Sequence, residues 1–474
     1  MVAVGSESNP KSDFPVVQEV YMRFLFILWL SKLIAFIVSI IDPTRGSNYA
    51  GAFALKLMPD FVGRFRNVDY NKVIFISGTN GKSTTTNMVR HTLEYAGHTV
   101  ASNVEGANMM GGVATTLIKN STMRGNLNKE FLVLEIDERS FPGIRMVLPG
   151  KHLGITNLQK DQAARNGDPD FILQKFRNHI SRDMTLYLNN EEPRSSSLAN
   201  YADHVRYFSV ADNELTANHQ NFYTVTLPCP KCGCPIVYER YNLANIGPFR
   251  CSNCNHQSKN CPNLTVDEVD YRSKELTIAG VKWKIPYSAP FYVYNYAMCI
   301  DICRQFGISD DQIQRGIMTF QNPASHIFVY DYHGKEIHFL QGKQENPEAL
   351  QTQLDIIAAD QRDKVLMVGM QRIQDYYPFY SGSFYLFDCD FRFVTASNVS
   401  HYVAFSETVC HDIATRLILD GADAEHMTVV DSDDLTNVFG VLDSIDCDLV
   451  YILTNIKSFK PIHHYLTQGG IQFE

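Results

Sequence analysis

The sequence lacks an excess of positive charge and lacks a secretory signal. The first absence bears on nucleic-acid binding, and the second bears on the cellular compartment. Its 42 Lys and Arg residues are outnumbered by 51 Asp and Glu residues, so the formal net charge is −9. A general nucleic-acid binder would present a basic surface, and this class is therefore excluded. The stretch Met1–Pro15 is polar, and no small-residue cleavage site follows the apolar run behind it. We therefore expect a cytoplasmic protein in a reducing compartment. Among its eleven cysteines, those that occur in pairs are then more readily explained as metal ligands than as disulfides.

The one long apolar run is Phe24–Ile41, which at 18 residues reaches only the lower limit for crossing a bilayer. Lys32 lies near its centre, where a charge opposes insertion. We predict a helix, ended by Pro43 and Gly46, that packs on the protein or lies on the inner face of the membrane instead of spanning it.

The rest of the chain, long enough for two or three domains, alternates strand and helix patterns without internal repeats or low-complexity tracts. Such alternation predicts an α/β fold, a mostly parallel sheet with helices on both faces. We predict a helical leader over 1–65, a central ATP-binding domain over 66–322 and a C-terminal α/β domain over 323–474. The predicted strands are Val73–Ser77, Phe131–Glu135, Leu153–Thr156, Val365–Met370, Phe391–Thr395, Tyr402–Phe405 and Leu449–Leu453, and helices are predicted after Lys82 and over Phe291–Phe306 and His411–Leu419.

The first of these strands runs directly into a phosphate-loop pattern, Gly78-Thr79-Asn80-Gly81-Lys82-Ser83-Thr84. Glycines let backbone N–H groups close on a polyphosphate at the N-terminus of the next helix. Lys82 can reach the terminal phosphates, and Ser83 or Thr84 can hold magnesium. The full pattern asks for a glycine at Ile76, so a glycine-rich turn with a chance lysine is the alternative. The strand and helix signals on either side favour ATP binding.

Polar residues follow the neighbouring strands and the later helix. Glu135 and Glu138 lie at the end of one strand and are candidates to bind magnesium. Read alone, such an acidic cluster is more often a solvated turn, but its place beside a phosphate loop favours magnesium binding. Asn157 follows the next strand and could orient a magnesium water or a phosphate oxygen, or could be a turn residue. Asn295, early in a helix, could hydrogen-bond adenine or a phosphate, or could serve in capping or packing.

Two Cys-x-x-Cys pairs predict a metal site within 226–262. Cys229, Cys232, Cys251 and Cys254 have the spacing of a zinc ribbon, and four thiolates leave no open coordination position. The zinc should therefore be structural. Cys234 and Cys261 could compete as ligands, but each lacks a partner at the right spacing. The other five cysteines, which lie in apolar contexts, are predicted core residues: Cys299, Cys303, Cys389, Cys410 and Cys447.

Taken in order, these motifs resemble the Mur ligase family, and within it the MurT branch. The resemblance covers nearly the whole chain and includes G-T-N-G-K-S-T, Asn103–Asn108, Glu135–Glu138, Thr156–Gln162, the four-cysteine ribbon, Tyr292–Asn295 and Asp412–Leu417. It implies a central Mur-type ATPase domain and a C-terminal Rossmann-like domain. It also implies ATP-dependent phosphorylation of the D-glutamate α-carboxylate in lipid II, with ammonia supplied by a separate GatD-type glutaminase in a heterodimer.

The chain departs from that branch on the acceptor side. Pro378–Phe384 contains no Arg and no Asp where the branch carries D-G-R-D-x-S-W, and Asp375 is out of register. The usual K-N-P-A-G is replaced by Lys343–Ala349, and the usual G-R by Ser406-Glu407. Two alternatives therefore stay open: a diverged ligase with another acceptor, and a non-catalytic ATP-binding partner of a MurT–GatD pair.

Overall fold

The structure is a computed structural model that describes residues 14–41, 48–103, 107–160, 168–213, 216, 227–243, 245–321, 327–341, 346–370, 386–454 and 456–469. Its α-helices are α1 (Phe14–Ile41), α2 (Tyr49–Leu57), α3 (Lys82–Tyr95), α4 (Met110–Lys119), α5 (Phe141–Val147), α6 (Pro169–His179), α7 (Pro193–Ser197), α8 (Pro290–Gln305), α9 (Asp310–Thr319), α10 (Pro347–Ala359), α11 (Arg392–Thr395), α12 (Cys410–Leu419), α13 (Leu435–Asp443) and α14 (Ile456–Gly469).

The strands of the first half are β1 (Val73–Ser77), β2 (Val100–Ser102), β3 (Phe131–Glu135), β4 (His152–Ile155), β5 (Thr185–Asn189), β6 (His204–Val210), β7 (Ile236–Tyr238), β8 (Phe249–Cys251) and β9 (Leu264–Val266). Those of the second half are β10 (Glu268–Asp270), β11 (Glu275–Ile278), β12 (Val281–Lys284), β13 (Ile327–Tyr332), β14 (Lys335–Gln341), β15 (Lys364–Gly369), β16 (Val399–Phe405), β17 (Met427–Val430) and β18 (Leu449–Thr454).

The first large sheet has seven parallel strands in the order β2-β3-β1-β4-β5-β6-β9. All five residues of β1 are buried, as are those of β3 and β4, which flank it. Strands buried on both faces read as continuous apolar runs, which is why the sequence pattern located them. Helices α3, α8 and α9 pack on one face, and α1, α2, α4, α5 and α6 contribute to the core on the other.

The second large sheet has six strands in the order β13-β14-β18-β15-β16-β17. The hairpin of β13 and β14 is antiparallel, and the remaining pairs are parallel. Its two faces pack against α10 and α12 on one side and α13 and α14 on the other. Both sheets therefore have the predicted layered α/β arrangement, whereas the predicted domain limits stay predictions.

The strand predicted over Phe391–Thr395 is wrong, because this segment forms the short helix α11. The Asp390 carboxylate accepts the backbone N–H of Arg392 at 2.9 Å, and the Asp420 carboxylate accepts that of Phe391 at 2.7 Å. Side chains thus take the backbone donors that a strand would offer to a neighbour.

The apolar run of the leader forms the long helix α1, and Lys32 proves to be a tether to the protein. Its ammonium group donates to the Ser121 carbonyl at 2.7 Å and to the Ile118 carbonyl at the C-terminal end of α4, where a cation is favoured. Phe24 and Leu28 are fully buried. Among the described residues, one segment, Gln18–Ile40, meets the length and composition of a membrane span, with mean hydropathy 2.0. The helix nevertheless packs on the protein, as predicted.

Candidate active site

The phosphate loop lies at the carboxyl edge of the first sheet because β1 lies between β3 and β4. Since these strands are parallel, the segments that follow all three meet at one edge. Glu135 ends β3, the loop follows β1, and Asn157 comes two residues after β4 ends. The sheet therefore brings together the groups that the sequence predicted for nucleotide chemistry.

Two glycines of the loop are required by its backbone and by its close neighbours. Gly78 has φ of +124° and Gly81 has φ of +84°, a region that other residues rarely adopt. A Cβ atom on Gly81 would lie 2.4 Å from Oδ1 of Asn295, and one on Gly78 would lie 2.3 Å from Oγ1 of Thr156. The loop is thus pressed against both α8 and the segment after β4.

Asn157 fixes the loop through both polar atoms of its side chain. Its Oδ1 accepts the backbone N–H of Asn80 at 3.0 Å, and its Nδ2 donates to the Asn80 carbonyl at 3.1 Å. The backbone carbonyl of Asn157 accepts the N–H of Thr79 at 2.8 Å. The geometry makes Asn157 a positioning residue for the loop, whereas the predicted contact with a magnesium water or phosphate stays a prediction.

Gln159, which the sequence analysis missed, completes this support. Its backbone N–H donates to Oγ1 of Thr79 at 2.9 Å, and its Oε1 accepts Nδ2 of Asn80 at 3.0 Å. Only the tertiary pairing of β1 with β4 could have identified it.

Lys82 begins α3 and is almost fully buried. Its ammonium group pairs with the Glu138 carboxylate at 2.9 Å and donates to the carbonyls of Gly78 and Thr79. The Lys82 and Glu138 side chains are 7% and 5% exposed, so solvent screens this pair little. The ammonium group is therefore held within the loop that it would serve.

The remaining acidic groups of this edge are ordered by neighbours. Nδ2 of Asn108 donates to Oε1 of Glu135 at 2.9 Å, and Asn103 bonds both the N–H and the carbonyl of the Glu135 backbone. Burial alone would raise the pKa of Asp137, but hydrogen bonds from Arg139 outweigh it and the pKa lies below its ordinary value. The Asp137 carboxylate is thus held in its ionised form, and carboxylate oxygens are ligands that a divalent cation prefers.

The donor set fits a magnesium nucleotide. Ser83 is exposed in the first turn of α3, and Thr84 is half-buried beside it. Nδ2 of Asn295 is buried and has no hydrogen-bond partner among the residues that the structure describes. A donor without a partner next to Gly81 is what a nucleotide oxygen or ring nitrogen would satisfy.

A buried network behind the site connects α8 to the base of the cysteine-rich segment. The Tyr294 hydroxyl donates to Glu191, and Nδ2 of Asn242 donates to the same carboxylate at 3.2 Å. Burial raises the pKa of Glu191 to about 7, although these donors favour the ionised form. No local pattern signals this network, because its members are far apart in the chain.

The C-terminal half also reaches the loop. Nδ2 of Asn346 donates to Oδ1 of Asn80 at 3.2 Å, and Nδ2 of Asn80 lies 3.4 Å from Oδ1 of Asn346. Asn346 is fully buried and also caps α10 by accepting the N–H of Ala349. A second link joins Lys160 to Asp388 at 2.6 Å. The Asn-Pro pair at 346–347 signals a helix start, but its contact with the loop was not predictable.

The cysteine cluster fits tetrahedral zinc. The sulfur atoms of Cys229, Cys232, Cys251 and Cys254 all lie within 4.8 Å of one another, and two of the separations are 3.4 and 3.7 Å. Four sulfurs around zinc at about 2.3 Å would be roughly 3.8 Å apart. Without a metal ion the thiols affect one another: a backbone hydrogen bond from Cys234 lowers the pKa of the Cys232 thiol to about 6, whereas burial raises the pKa of the Cys229 thiol to about 12.

Neither Cys234 nor Cys261 belongs to this cluster. Four of the five predicted core cysteines are buried, and Cys447 is half-buried. Several segments quoted for the family resemblance lie outside the described residues: Glu105, Asp161, Gln162, Lys343–Glu345, Asp375 and Pro378–Phe384.

Known proteins resemble this chain in sequence and in fold. Residues 344–457 match the family model described as MurT ligase C-terminal. The chain is 26% identical over 435 residues to the lipid II isoglutaminyl synthase (glutamine-hydrolyzing) subunit MurT of Streptococcus pneumoniae (strain ATCC BAA-255 / R6), covering 90% of this chain and 94% of that protein.

Two solved structures share the fold. A pseudomurein peptide ligase type C from Methanothermus fervidus superposes with a TM-score of 0.61 at 18% identity, covering 85% of this chain and 79% of that one. MurF from Acinetobacter baumannii superposes with a TM-score of 0.60 at 13% identity, covering 88% and 80%. The predicted Mur ligase-like α/β fold is thereby confirmed. The chain is therefore similar to a MurT subunit over most of its length and to Mur ligases in fold.

Proposed function

We propose that this chain is an ATP-dependent carbon–nitrogen ligase of peptidoglycan synthesis that activates the D-glutamate α-carboxylate of lipid II for amidation. A carboxylate oxygen attacks the terminal phosphorus of ATP, and ADP leaves. Ammonia then attacks the carbonyl carbon of the acyl phosphate, phosphate leaves and a proton is lost. The observation that carries the proposal is the buried Lys82–Glu138 pair inside a phosphate loop that the C-terminal half contacts through Asn346.

The residues of this chain supply position and charge. Lys82 would exchange its loop carbonyls for phosphate oxygens and stabilise charge on the transferring phosphoryl group. Asn157 and Gln159 hold the loop in the required shape, and the buried amide of Asn295 would bind the nucleotide.

Two metal ions complete the proposal. Magnesium, held by Ser83 or Thr84 with Glu135, would neutralise charge on the phosphates when bound. Glu138 is a further candidate ligand, once phosphate replaces it beside Lys82. Zinc at the four cysteines would be structural, since all four coordination positions are filled by protein.

The ammonia would come from a GatD-type glutamine amidotransferase in a heterodimer, as the glutamine-hydrolyzing name of the pneumococcal relative suggests. We expect the pair to work in the cytoplasm, at the inner face of the membrane that carries lipid II.

The test uses Lys82→Met in the full chain, with Lys72→Met as its matched control. Lys72 lies ten positions earlier and pairs with Glu130 at the surface. We expect ATP-dependent amidation of lipid II with ammonium to fall roughly 10²–10³-fold for Lys82→Met, because a single charge-stabilising donor is lost, and to stay unchanged for Lys72→Met. Equal activity of the Lys82 variant and the control would contradict the proposal.

A second candidate, a diverged ligase with another acceptor, is favoured by one observation. Pro378–Phe384 contains neither the Arg nor the Asp of the MurT branch. This candidate predicts that lipid II fails to stimulate ATP hydrolysis in the presence of ammonium, whereas a different carboxylate or amine does. A non-catalytic ATP-binding partner would bind ATP without any turnover.

A further inference from the structure

Helix α1 is apolar on both sides, although only one side faces the protein. Phe24, Ile27 and Leu28 are buried, and Lys32 tethers that side to the end of α4. On the opposite side, seven large apolar residues are between 44% and 67% exposed: Met22, Phe26, Trp29, Leu33, Phe36, Ile37 and Ile40. We call these seven residues the outer stripe.

The outer stripe is one continuous face of the helix. At about 100° per residue its members fall within an arc of roughly 100°, which is the width of the face by which an amphipathic helix normally contacts a core. A helix that is hydrophobic all round is normally buried on all sides. Contiguous exposed apolar surface of this extent marks an interaction site.

Charge around the outer stripe indicates what covers it. Apart from the tether Lys32, the described segments 14–41, 48–66 and 119–124 contain six basic residues against two acidic residues, Glu19 and Asp60. The six basic residues are Arg23, Lys56, Arg64, Arg66, Lys119 and Arg124. The chain as a whole has the opposite balance, with a net charge of −9. A basic rim around an apolar face suits an anionic lipid surface, where each basic residue adds attraction.

A groove beside the outer stripe has the same mixed chemistry. It has a volume of about 320 Å³ and is lined by Lys32, Phe36 and Lys119 together with Ala35, Ser39 and Ile118. The Lys32 ammonium is held by the Ile118 and Ser121 carbonyls, so Lys119 supplies the cationic group that matches a phospholipid phosphate beside these apolar walls. Trp29 lies in the stripe with its indole N–H donating to the Met123 carbonyl at 2.7 Å, and tryptophan favours the membrane–water boundary.

We propose that α1 is a docking helix that lies in the surface of an anionic phospholipid bilayer and inserts the outer stripe. It cannot span the bilayer while Phe24 and Leu28 remain in the protein core. Docking also brings the site close to lipid headgroups. Helix α4 begins two residues after Asn108, which bonds Glu135, and it ends at the Lys32 tether. Its ten residues are roughly 15 Å long. The inference goes beyond the proposed function, because vesicle binding requires neither ATP nor an acceptor.

The first test is flotation of the full chain with vesicles of phosphatidylcholine and phosphatidylglycerol. The double variant Phe26→Glu with Phe36→Glu places two charges in the outer stripe. The matched control, Phe171→Glu with Leu419→Glu, changes residues of similar exposure on other helices. We expect vesicle binding to fall at least about tenfold in the stripe variant and to be unchanged in the control. Lys56→Gln should weaken binding about fivefold.

The second test needs no variant and so does not depend on folding of the stripe variant. The chain has two tryptophans, and Trp283 is buried at 1% exposure, so a change in fluorescence on adding vesicles reports Trp29. We expect a blue shift and protection from an aqueous quencher. Failure of the wild-type chain to float or to shift would overturn the proposal. A concentration-dependent dimer that the stripe variant abolishes, without vesicle binding, would assign the stripe to a second copy and overturn it equally.

Discussion

Replacing Gly81 by alanine tests whether the phosphate loop is shaped by its contact with α8. The backbone at Gly81 has φ of +84°, which costs an L-residue roughly 1–2 kcal/mol. The new Cβ would lie 2.4 Å from Oδ1 of Asn295, well inside the 3.0 Å below which a neighbour must shift. Asn295 is only 4% exposed, so overpacking adds about 1–3 kcal/mol. We expect a total loss of about 2–5 kcal/mol in the free energy of unfolding.

Gly97→Ala is the matched control, because Gly97 has φ of +96° and an added Cβ there would meet no atom within 4 Å. It should lose only the backbone part, about 1–2 kcal/mol, and should bind ATP normally. Gly81→Ala should weaken ATP binding roughly 100-fold, because the loop is displaced from its binding geometry. Chemical denaturation and ATP titration measure both effects. Adding Asn295→Ala should recover the packing part of the stability loss. Equal losses of stability and of ATP binding in the two glycine variants would refute the reasoning.

Three further predictions concern the metal, the link between the two halves and pH. Cys251→Ser should remove bound zinc and lower the melting temperature. The control Cys261→Ser, outside the cluster, should retain about one zinc per chain as measured by atomic absorption. Zinc loss in both variants would contradict the site. Asn346→Ser keeps a helix cap for α10 but loses the amide pair with Asn80. We expect amidation to slow at least tenfold while ATP affinity changes less than about threefold. Equal changes in both quantities would count against a role of this pair in holding the C-terminal half against the loop. Burial lowers the pKa of His152 to about 4 from 6.5. Between these pH values only the unfolded state binds a proton at this histidine. The free energy of unfolding should therefore fall by up to about 3 kcal/mol as the pH drops from 6.5 to 4. Burial also lowers the pKa of His256 to about 4, so His152→Phe should reduce that slope in denaturation curves at successive pH values and leave the part due to His256. An unchanged slope would exclude His152 as a source.

The parts of the fold that local sequence determines were predictable. Continuous apolar strands such as β1 and β3, the glycines of the loop and the cysteine spacing each carry their own signal, and parallel topology then places Glu135 and Asn157 at one edge. The phosphate-loop contacts of Lys82 could not be predicted in detail, because the pairing with Glu138 depends on the turn after β3.

What failed or was missed depends on tertiary contacts. The segment Phe391–Thr395 has the composition of a strand, but the carboxylates of Asp390 and Asp420 take its backbone donors. From the sequence, a charged Lys32 within an apolar run only opposes membrane insertion. In the structure it donates hydrogen bonds to the Ile118 and Ser121 carbonyls and so fixes α1 against the end of α4. The Asn80–Asn346 pair joins residues 266 positions apart, beyond the reach of any local pattern.

The measurement that tests the central claim most directly is incorporation of isotopically labelled ammonium into lipid II. Purified chain, ATP, magnesium, labelled ammonium and lipid II are combined, and the stem peptide is analysed by mass spectrometry and fragmentation. The account predicts ATP-dependent label at the α-carboxyl of D-glutamate, lost in Lys82→Met and retained in Lys72→Met. Saturable ATP binding without any labelled amide, both with ammonium and with an active glutaminase partner, would contradict it.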